Sequence, residues 1–161
     1  MSNEPTDKEI NALVLTSLFG WKWMSRTSKP SGDRKTALIA PDGDTLGYAP
    51  SNWYAPDWTP SYPLAPRFTD WDRSNVKRDQ QGDIVAFTLP DFCNDRNLLP
   101  LLWVKLEEEE HGVFYLRLSH MGLRGEWARH TATPRQQTEA VLRTLEHWPT
   151  EWRAASSASP A

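Results

Sequence analysis

Prolines are so dense in the middle of this chain that one segment cannot form a continuous helix or an inner strand. Five of the 13 prolines fall between Pro50 and Pro66. Because proline lacks the amide hydrogen and fixes φ, it breaks a helix interior and removes a hydrogen bond from a sheet. We therefore predict a long loop here, an insertion of about residues 49–82 within a single α/β domain of residues 1–152.

Aromatic and basic side chains make this loop the best candidate binding surface. Loops of this length in compact domains are often functional. Tryptophan and tyrosine dominate binding hot spots and also stack on bases or sugars, and arginine stacks on aromatic rings. The alternative is a loop that covers the sheet and completes a small core. The predicted binding residues are Trp53, Tyr54, Trp58, Tyr62, Arg67, Phe68, Trp71 and, from a later turn, Arg96.

A capping box predicts the first helix. Thr6 and Glu9 are spaced so that each side chain accepts a hydrogen bond from the amide of the other. Apolar residues follow at helical spacing, and Gly20 is of the type that ends helices. The prediction is a helix over about Asp7–Phe19.

Turn signals and alternating apolar residues predict short antiparallel strands. Pro41–Asp44 has the composition of a tight turn, and it separates two strands of a first hairpin. Ser25–Arg34, which precedes this hairpin, is polar and is predicted as a loop. The predicted strands are Thr36–Ala40 and Leu46–Tyr48 in the first hairpin, then Asp83–Thr88, and then Val113–Ser119 and Glu126–His130 in a second hairpin.

Of two later segments, the first fits two kinds of secondary structure and the second fits one. Leu98–Leu106 fits a strand by alternation, but it also fits a helix followed by the acidic run Glu107–Glu110, provided that Pro100 lies in the first turn.

Thr133–Pro134 predicts the start of the closing helix, because a hydroxyl cap precedes a proline at the first helical position. Pro149 ends that helix.

Because helices must bury their apolar stripe on the sheet, this order of elements predicts an α+β domain with a small, mostly antiparallel sheet. Residues 153–161 are rich in Ala and Ser and are predicted to be a disordered tail. The nine tryptophans argue against wholesale disorder. Trp152 is left undecided. The tryptophans expected in the core are Trp21, Trp23, Trp103, Trp127 and Trp148.

Polar residues give no strong catalytic pattern. His120 and His130 would approach each other across the second hairpin, and we prefer ordinary surface histidines to a metal or acid/base site there. Cys93 has no identifiable base and is expected to be structural. Paired carboxylates are a candidate for acid/base work, but aspartates more often cap turns. The aspartates in question are Asp70, Asp72, Asp91 and Asp95.

Several function classes are disfavoured by what the sequence lacks. It contains no Gly-rich phosphate loop, no serine elbow and no zinc-ligand spacing, so no cofactor or metal is expected. No apolar run of about 18 residues is present, so we expect no membrane partner. The polar N-terminus and the single cysteine favour a cytoplasmic protein. The net charge of −3 gives no overall attraction to nucleic acid, which is not an expected partner.

Three short motifs follow one another in an order that resembles a known family. They are Asp7–Val14 with Gly20–Trp21, then Leu89–Asn97 (with Pro66–Asp70 as a competing match), then Ala132–Leu145. Together they resemble the phage ABA-sandwich domain, a family of small phage and prophage proteins. The stretch from Trp53 to Gly82 looks like an insertion. The resemblance implies an α-β-α sandwich and a phage origin, and it implies no established activity.

These observations favour a small, non-enzymatic phage accessory protein that binds a host protein. A role in countering host defence is an expectation from the phage context alone. A first alternative is a protein that sequesters a nucleotide or another small ligand in a pocket lined by the loop aromatics with Arg67 or Arg96. A second alternative is a cryptic hydrolase that uses Asp or His residues.

Overall fold

The computed structural model describes residues 4–27, 32, 34–50, 59–60, 75–86, 89–125 and 127–152. These residues form α-helices and small antiparallel sheets, which confirms the mixed α+β class. The chain divides into two compact units. The helical unit comprises Met1–Val14 and Pro90–Ala161, and the strand unit comprises Leu15–Leu89. The α-β-α sandwich and the domain boundaries stay predictions.

Short helices build most of the helical unit. The first, α1, also runs into the strand unit. In chain order the helices are α1 (Asp7–Leu18), a 3-10 turn (Arg96–Leu98), α2 (Leu99–Trp103), α3 (Glu110–His120), α4 (Ala128–Thr131) and α5 (Pro134–Thr144).

The capping box confirms the predicted start of α1. The amide of Thr6 donates to Oε2 of Glu9 at 2.7 Å, and the amide of Glu9 donates to Oγ1 of Thr6 at 3.2 Å. These bonds satisfy amides that have no partner within the helix. The helix ends at Leu18, before Gly20, whose φ of +75° is accessible to glycine at low cost.

The closing helix α5 begins where the sequence predicts. Oγ1 of Thr133 accepts from the amide of Gln136 at 3.1 Å, and Oε1 of Gln136 accepts from the amide of Thr133 at 2.8 Å. Pro134 occupies the first helical position. Ala140 and Val141 are buried as expected, whereas the other predicted core positions, Leu145 and Trp148, are half-buried.

The predicted second hairpin is wrong. Val113–Ser119 lies in α3 rather than in a strand, and the described part of Glu126–His130 belongs to the turn that enters α4 and to α4 itself. In α3 the buried residues are Phe114 and Leu118, which are one helical turn apart. The alternation that suggested a strand arises because further apolar side chains of α3 point outward into solvent.

Leu98–Leu106 follows the helical alternative. Arg96–Leu98 forms the 3-10 turn, and α2 continues it with Pro100 in its first turn, where proline costs no hydrogen bond. Leu99 and Leu102 are the buried residues of α2.

Among the described residues, the strand unit contains two three-stranded antiparallel sheets. The first has the strand order β2-β1-β4 and the second has the order β3-β5-β6. The strands are β1 (Lys22–Thr27), β2 (Arg34–Ile39), β3 (Tyr48–Pro50), β4 (Thr59–Pro60), β5 (Asn75–Arg78) and β6 (Ile84–Ala86).

The predicted first hairpin is also wrong, although both of its strands exist in part. The strand predicted at Thr36–Ala40 lies in β2, which pairs with β1 from Lys22↔Ile39 to Thr27↔Arg34. The strand predicted at Leu46–Tyr48 appears later, as β3, in the other sheet. The prediction failed because the start of the predicted loop Ser25–Arg34 is the end of β1, and this strand takes the place beside β2.

One buried side chain joins the two sheets. Asn75 of β5 is 0% exposed, and its Nδ2 donates to the carbonyl of Leu38 at 2.8 Å. Its Oδ1 accepts from the amide of Ala40 at 2.9 Å. The Asn75 amide therefore occupies the edge of β2 as a neighbouring strand would, and it satisfies backbone groups that would otherwise be buried without partners.

A second polar contact fixes the turn between β2 and β3. Trp21 is 2% exposed, as expected of a core tryptophan, and its Nε1 donates to Oδ1 of Asp44 at 3.0 Å. Oδ2 of Asp44 accepts from the amide of Tyr48 at 3.1 Å. The rings of Trp21 and Tyr48 meet edge to face at 5.6 Å.

We predict that Asn75→Leu lowers the free energy of unfolding by about 2–4 kcal/mol, because two buried backbone groups lose their partners. Urea denaturation followed by circular dichroism measures this change. Asn97→Leu is the matched control, since Asn97 is exposed and such a change costs roughly 0.5 kcal/mol or less. Equal losses in the two variants would contradict the role assigned to Asn75.

Two helices end in the same way but with different residues. After α3, Gly122 has a φ of +87°, and the amide of Leu123 donates to the carbonyl of Leu118 at 3.0 Å. After α5, Glu146 has a φ of +61°, and the amide of His147 donates to the carbonyl of Leu142 at 2.8 Å. Both ends are therefore left-handed caps, and only the first has the glycine that this conformation favours.

The two caps predict stability changes of opposite sign. Glu146→Gly is expected to raise the free energy of unfolding by about 0.5–1 kcal/mol, and Gly122→Ala is expected to lower it by about 1 kcal/mol or more. Denaturant titration of both variants checks the pair. A decrease in stability for Glu146→Gly would show that the glutamate side chain stabilises the cap.

Candidate binding surface

The predicted loop surface cannot be compared with the structure. Trp53, Tyr54, Trp58, Tyr62, Arg67, Phe68 and Trp71 lie outside the described residues, so their role stays a prediction.

Arg96, the remaining predicted binding residue, makes a contact within the helical unit. Its Nη2 donates to the carbonyl of Ala132 at 2.8 Å, and Ala132 is fully buried. Arg96 thus ties the 3-10 turn to the residues that precede α5. This guanidinium already has a structural partner.

The candidate histidine site is not formed. His120 ends α3 and His130 lies in α4, so no hairpin brings them together, and both side chains are exposed. Glu126, which the predicted second hairpin would place near both histidines, lies outside the described residues. Among the residues that the structure describes, no three His, Cys, Asp or Glu side chains are grouped to hold a metal ion.

Cys93 is buried, as expected for a structural thiol, with 3% of its surface exposed. Its amide donates to Oδ1 of Asp91 at 3.2 Å and to Oδ1 of Asn11 at 3.3 Å. Burial raises the pKa of the thiol, the negative charges of Asp7 and Asp91 raise it further, and Arg135 acts in the opposite direction. The thiol is therefore protonated at neutral pH and is a poor nucleophile.

Aspartates of the same turn act as caps, which confirms the expected role for Asp91 and Asp95. Oδ1 of Asp95 accepts from the amide of Asn97 at 3.0 Å and caps the 3-10 turn. Oδ1 of Asp91 accepts from Nδ2 of Asn11 at 2.9 Å, and Oδ2 accepts from Nδ2 of Asn94 at 2.9 Å. These carboxylates are engaged in holding the turn.

A tryptophan that the sequence places in the core is instead on the surface. Trp127 is 68% exposed, and it precedes α4 at the N-cap position. Its ring centre lies 5.5 Å from that of His130, with the ring planes inclined at 50°. The core prediction failed because α4 buries Ala128 and thereby leaves the preceding residue in solvent.

The backbone that carries Trp127 is well anchored. Ala128 and Ala132 are buried, and Nε2 of Gln137 donates to the carbonyl of Arg129 at 2.8 Å. Oγ1 of Thr131 donates to the carbonyls of Ala128 and Trp127 at 3.2 and 3.3 Å. A four-residue helix is short, and these contacts hold it in place.

Aromatic and cationic side chains continue from α4 to α2 and α3. The half-buried ring of Trp103 stacks on His111 at 4.2 Å, with the planes 13° apart. The guanidinium carbon of Arg129 lies 3.7 Å from the centre of the same ring, which is a close cation–π contact. Trp127 and His130 form a second contacting group, which shares the short helix α4 and its N-cap with Arg129. We call the residues of the two groups, Trp103, His111, Trp127, Arg129 and His130, the Trp127 surface.

Basic and acidic residues are segregated in this part of the chain. Between Val113 and Thr133 the sequence has three arginines and a single carboxylate. Exposed Arg124 lies just before α4, and Arg129 lies within it. On the other side, Glu107–Glu109 are exposed immediately before α3, next to the helical turn that carries His111. The Trp127 surface is therefore basic on its α4 side and acidic beside the start of α3.

A signal for Trp127 was present in the sequence. Its neighbours at strand spacing are Gly125 and Arg129, and its neighbours at helical spacing include His130 and Thr131. Neither strand-spaced neighbour is apolar, so the strand period on which the core prediction relied does not place Trp127 on an apolar face.

No protein-family profile matches the chain, no curated protein matches it in sequence, and no solved structure matches it. The resemblance to the phage ABA-sandwich domain stays a prediction. Within the described ranges, no helix has the length and apolar character needed to cross a membrane.

The buried thiol predicts a pH dependence. The unfolded chain loses the Cys93 proton near pH 8.5, whereas the folded chain retains it, so the free energy of unfolding falls as pH rises above about 8.5. Comparison with Cys93→Ala in urea titrations from pH 7 to about 10 isolates this contribution. An identical pH dependence in both proteins would contradict the raised pKa of Cys93.

Proposed function

We propose that this chain acts by binding a partner protein rather than by catalysis, and that the Trp127 surface makes the contact. The observation that carries the proposal is the 68% exposure of Trp127 on an anchored helix. Tryptophan is the residue type most enriched in binding hot spots. A fixed backbone also keeps the entropy lost on binding low.

The charge of the surface specifies the partner. Arg124, Arg129 and His130 surround Trp127 in the sequence, and their side chains lie on the exposed or half-exposed side of the unit. Complementarity therefore requires a partner with an apolar cleft that receives the indole ring and with an acidic patch that faces α4, on the side away from Glu107–Glu109. Arg129 already stacks on Trp103, which holds its guanidinium in one orientation for pairing with a carboxylate.

A protein fits this surface better than a nucleic acid does. Stacking rings with arginines are also typical of single-strand binding. However, a phosphate backbone that follows the Trp103 ring towards His111 meets the exposed carboxylates of Glu107–Glu109. The chain as a whole carries a net charge of −3, which adds to this repulsion.

The choice of a host protein as the partner rests on the resemblance to the phage ABA-sandwich domain. In that context a small accessory protein binds a component of the host, and a defence protein is one such target. The aromatic loop at Trp53–Trp71 is predicted to add a further contact surface.

Trp127→Ala tests the proposal. We expect this variant to retain at least about tenfold less partner protein than the wild type, because the loss of a hot-spot tryptophan costs roughly 2 kcal/mol or more. Affinity capture from host lysate, quantified by mass spectrometry, measures the retained protein. Raising the salt concentration is expected to weaken the capture, since the charges at this surface are exposed.

Val85→Ala is the matched control, because Val85 is 56% exposed and lies in the strand unit. Thermal unfolding of both variants verifies that the fold is retained. Two results would refute the proposal: equal capture by Trp127→Ala and the wild type, or captured material that nuclease removes.

A further inference from the structure

A cavity of about 380 Å³ opens on the first sheet of the strand unit. The inside of the cavity is mostly apolar, and two charged side chains contribute to its lining. The residues that matter here are Lys22, Met24, Ile39, Ala40, Asp42 and Pro50.

Strand geometry explains the floor of the cavity. Lys22 and Met24 are two positions apart in β1, so their side chains lie on the same face of the sheet. Ile39 is the direct cross-strand partner of Lys22 and shares that face. The hydrogen bond from the Ala40 amide to Asn75 fixes the backbone beneath. The apolar floor is therefore part of the folded sheet and is formed before any ligand arrives.

The two charged residues have opposite signs and are not paired. Lys22 and Asp42 are both exposed, and neither makes an ion pair or a side-chain hydrogen bond within the part of the chain that the structure describes. The Lys22 nitrogen and the Asp42 oxygens are consequently more than 4.0 Å apart. Because both residues line the same cavity, a ligand that carries one charge of each sign has a partner for each charge there.

We propose that this cavity binds an apolar α-amino acid. Its carboxylate pairs with Lys22, its ammonium group pairs with Asp42, and its side chain packs on Met24 and Ile39. The volume of about 380 Å³ corresponds to roughly a dozen water-sized groups, which suits a ligand as large as phenylalanine. A nucleotide is larger, and it has no ammonium group to pair with Asp42.

Titration of the ¹⁵N-labelled protein with L-phenylalanine tests the proposal. Saturable shifts are expected for the amides of Lys22, Ile39 and Ala40. Phenylacetate lacks the ammonium group and phenethylamine lacks the carboxylate, so each should bind about tenfold more weakly, the effect of one lost charge-assisted hydrogen bond.

Variants of the two charged residues complete the test. Lys22→Gln and Asp42→Asn should each weaken phenylalanine binding about tenfold, whereas Lys8→Gln, at an exposed lysine of the helical unit, should leave it unchanged. Trp127→Ala should also leave it unchanged, which separates this inference from the proposed function. The inference is overturned by the absence of saturable shifts, by analogues that bind as tightly as phenylalanine, by unchanged binding in both charge variants, or by tighter binding of AMP to the same amides.

Discussion

The two sheets that the structure describes in the strand unit have three short strands each, and the buried amide of Asn75 joins them. The strands are two to six residues long, and a sheet of this size needs an apolar face or packing against a helix to be stable by itself. Asn75 pairs with the carbonyl of Leu38 and the amide of Ala40, so the edge of β2 is closed by a side chain instead of a strand. The same bonds hold the floor of the proposed amino-acid cavity. The position of the ligand site thus follows from the contact that unites the sheets.

Local sequence signals predicted the helix starts well because the interactions involved are local. The caps at Thr6 and Thr133 join residues only three positions apart, and spacing alone reveals such bonds. The strand pairing was not predictable in the same way. Asn75 reaches β2 across more than thirty residues, and the pairing of β1 with β2 left no place for the expected hairpin. In α3 the apolar residues fit both the strand period and the helix period, and packing around Phe114 selected the helix.

Candidate functional sites were harder to predict than helices and strands. The aromatic loop was predicted as a binding surface because its aromatic content can be recognised from the sequence without knowledge of the fold. Trp127 was predicted to lie in the core because a large apolar residue on a predicted strand is normally buried. Its exposure depends on which face α4 turns inward, and that follows from the burial of Ala128 and from the contact between Gln137 and the carbonyl of Arg129. Lys22 and Asp42 are far apart in the chain, and the cross-strand pairing of Lys22 with Ile39 brings Lys22 close to the turn that carries Asp42.

The glutamate at the end of α5 has a consequence for the evolution of this chain. With glutamate instead of glycine in this left-handed cap, the free energy of unfolding is about 1 kcal/mol lower than it would be with glycine. One base change in a glutamate codon yields glycine, so a compensating mutation at Glu146 is always within one step. A binding surface of the kind proposed for Trp127 would accumulate substitutions that weaken the fold, and such a reserve would let the chain tolerate them. The strained cap would therefore give the proposed Trp127 surface freedom to diverge.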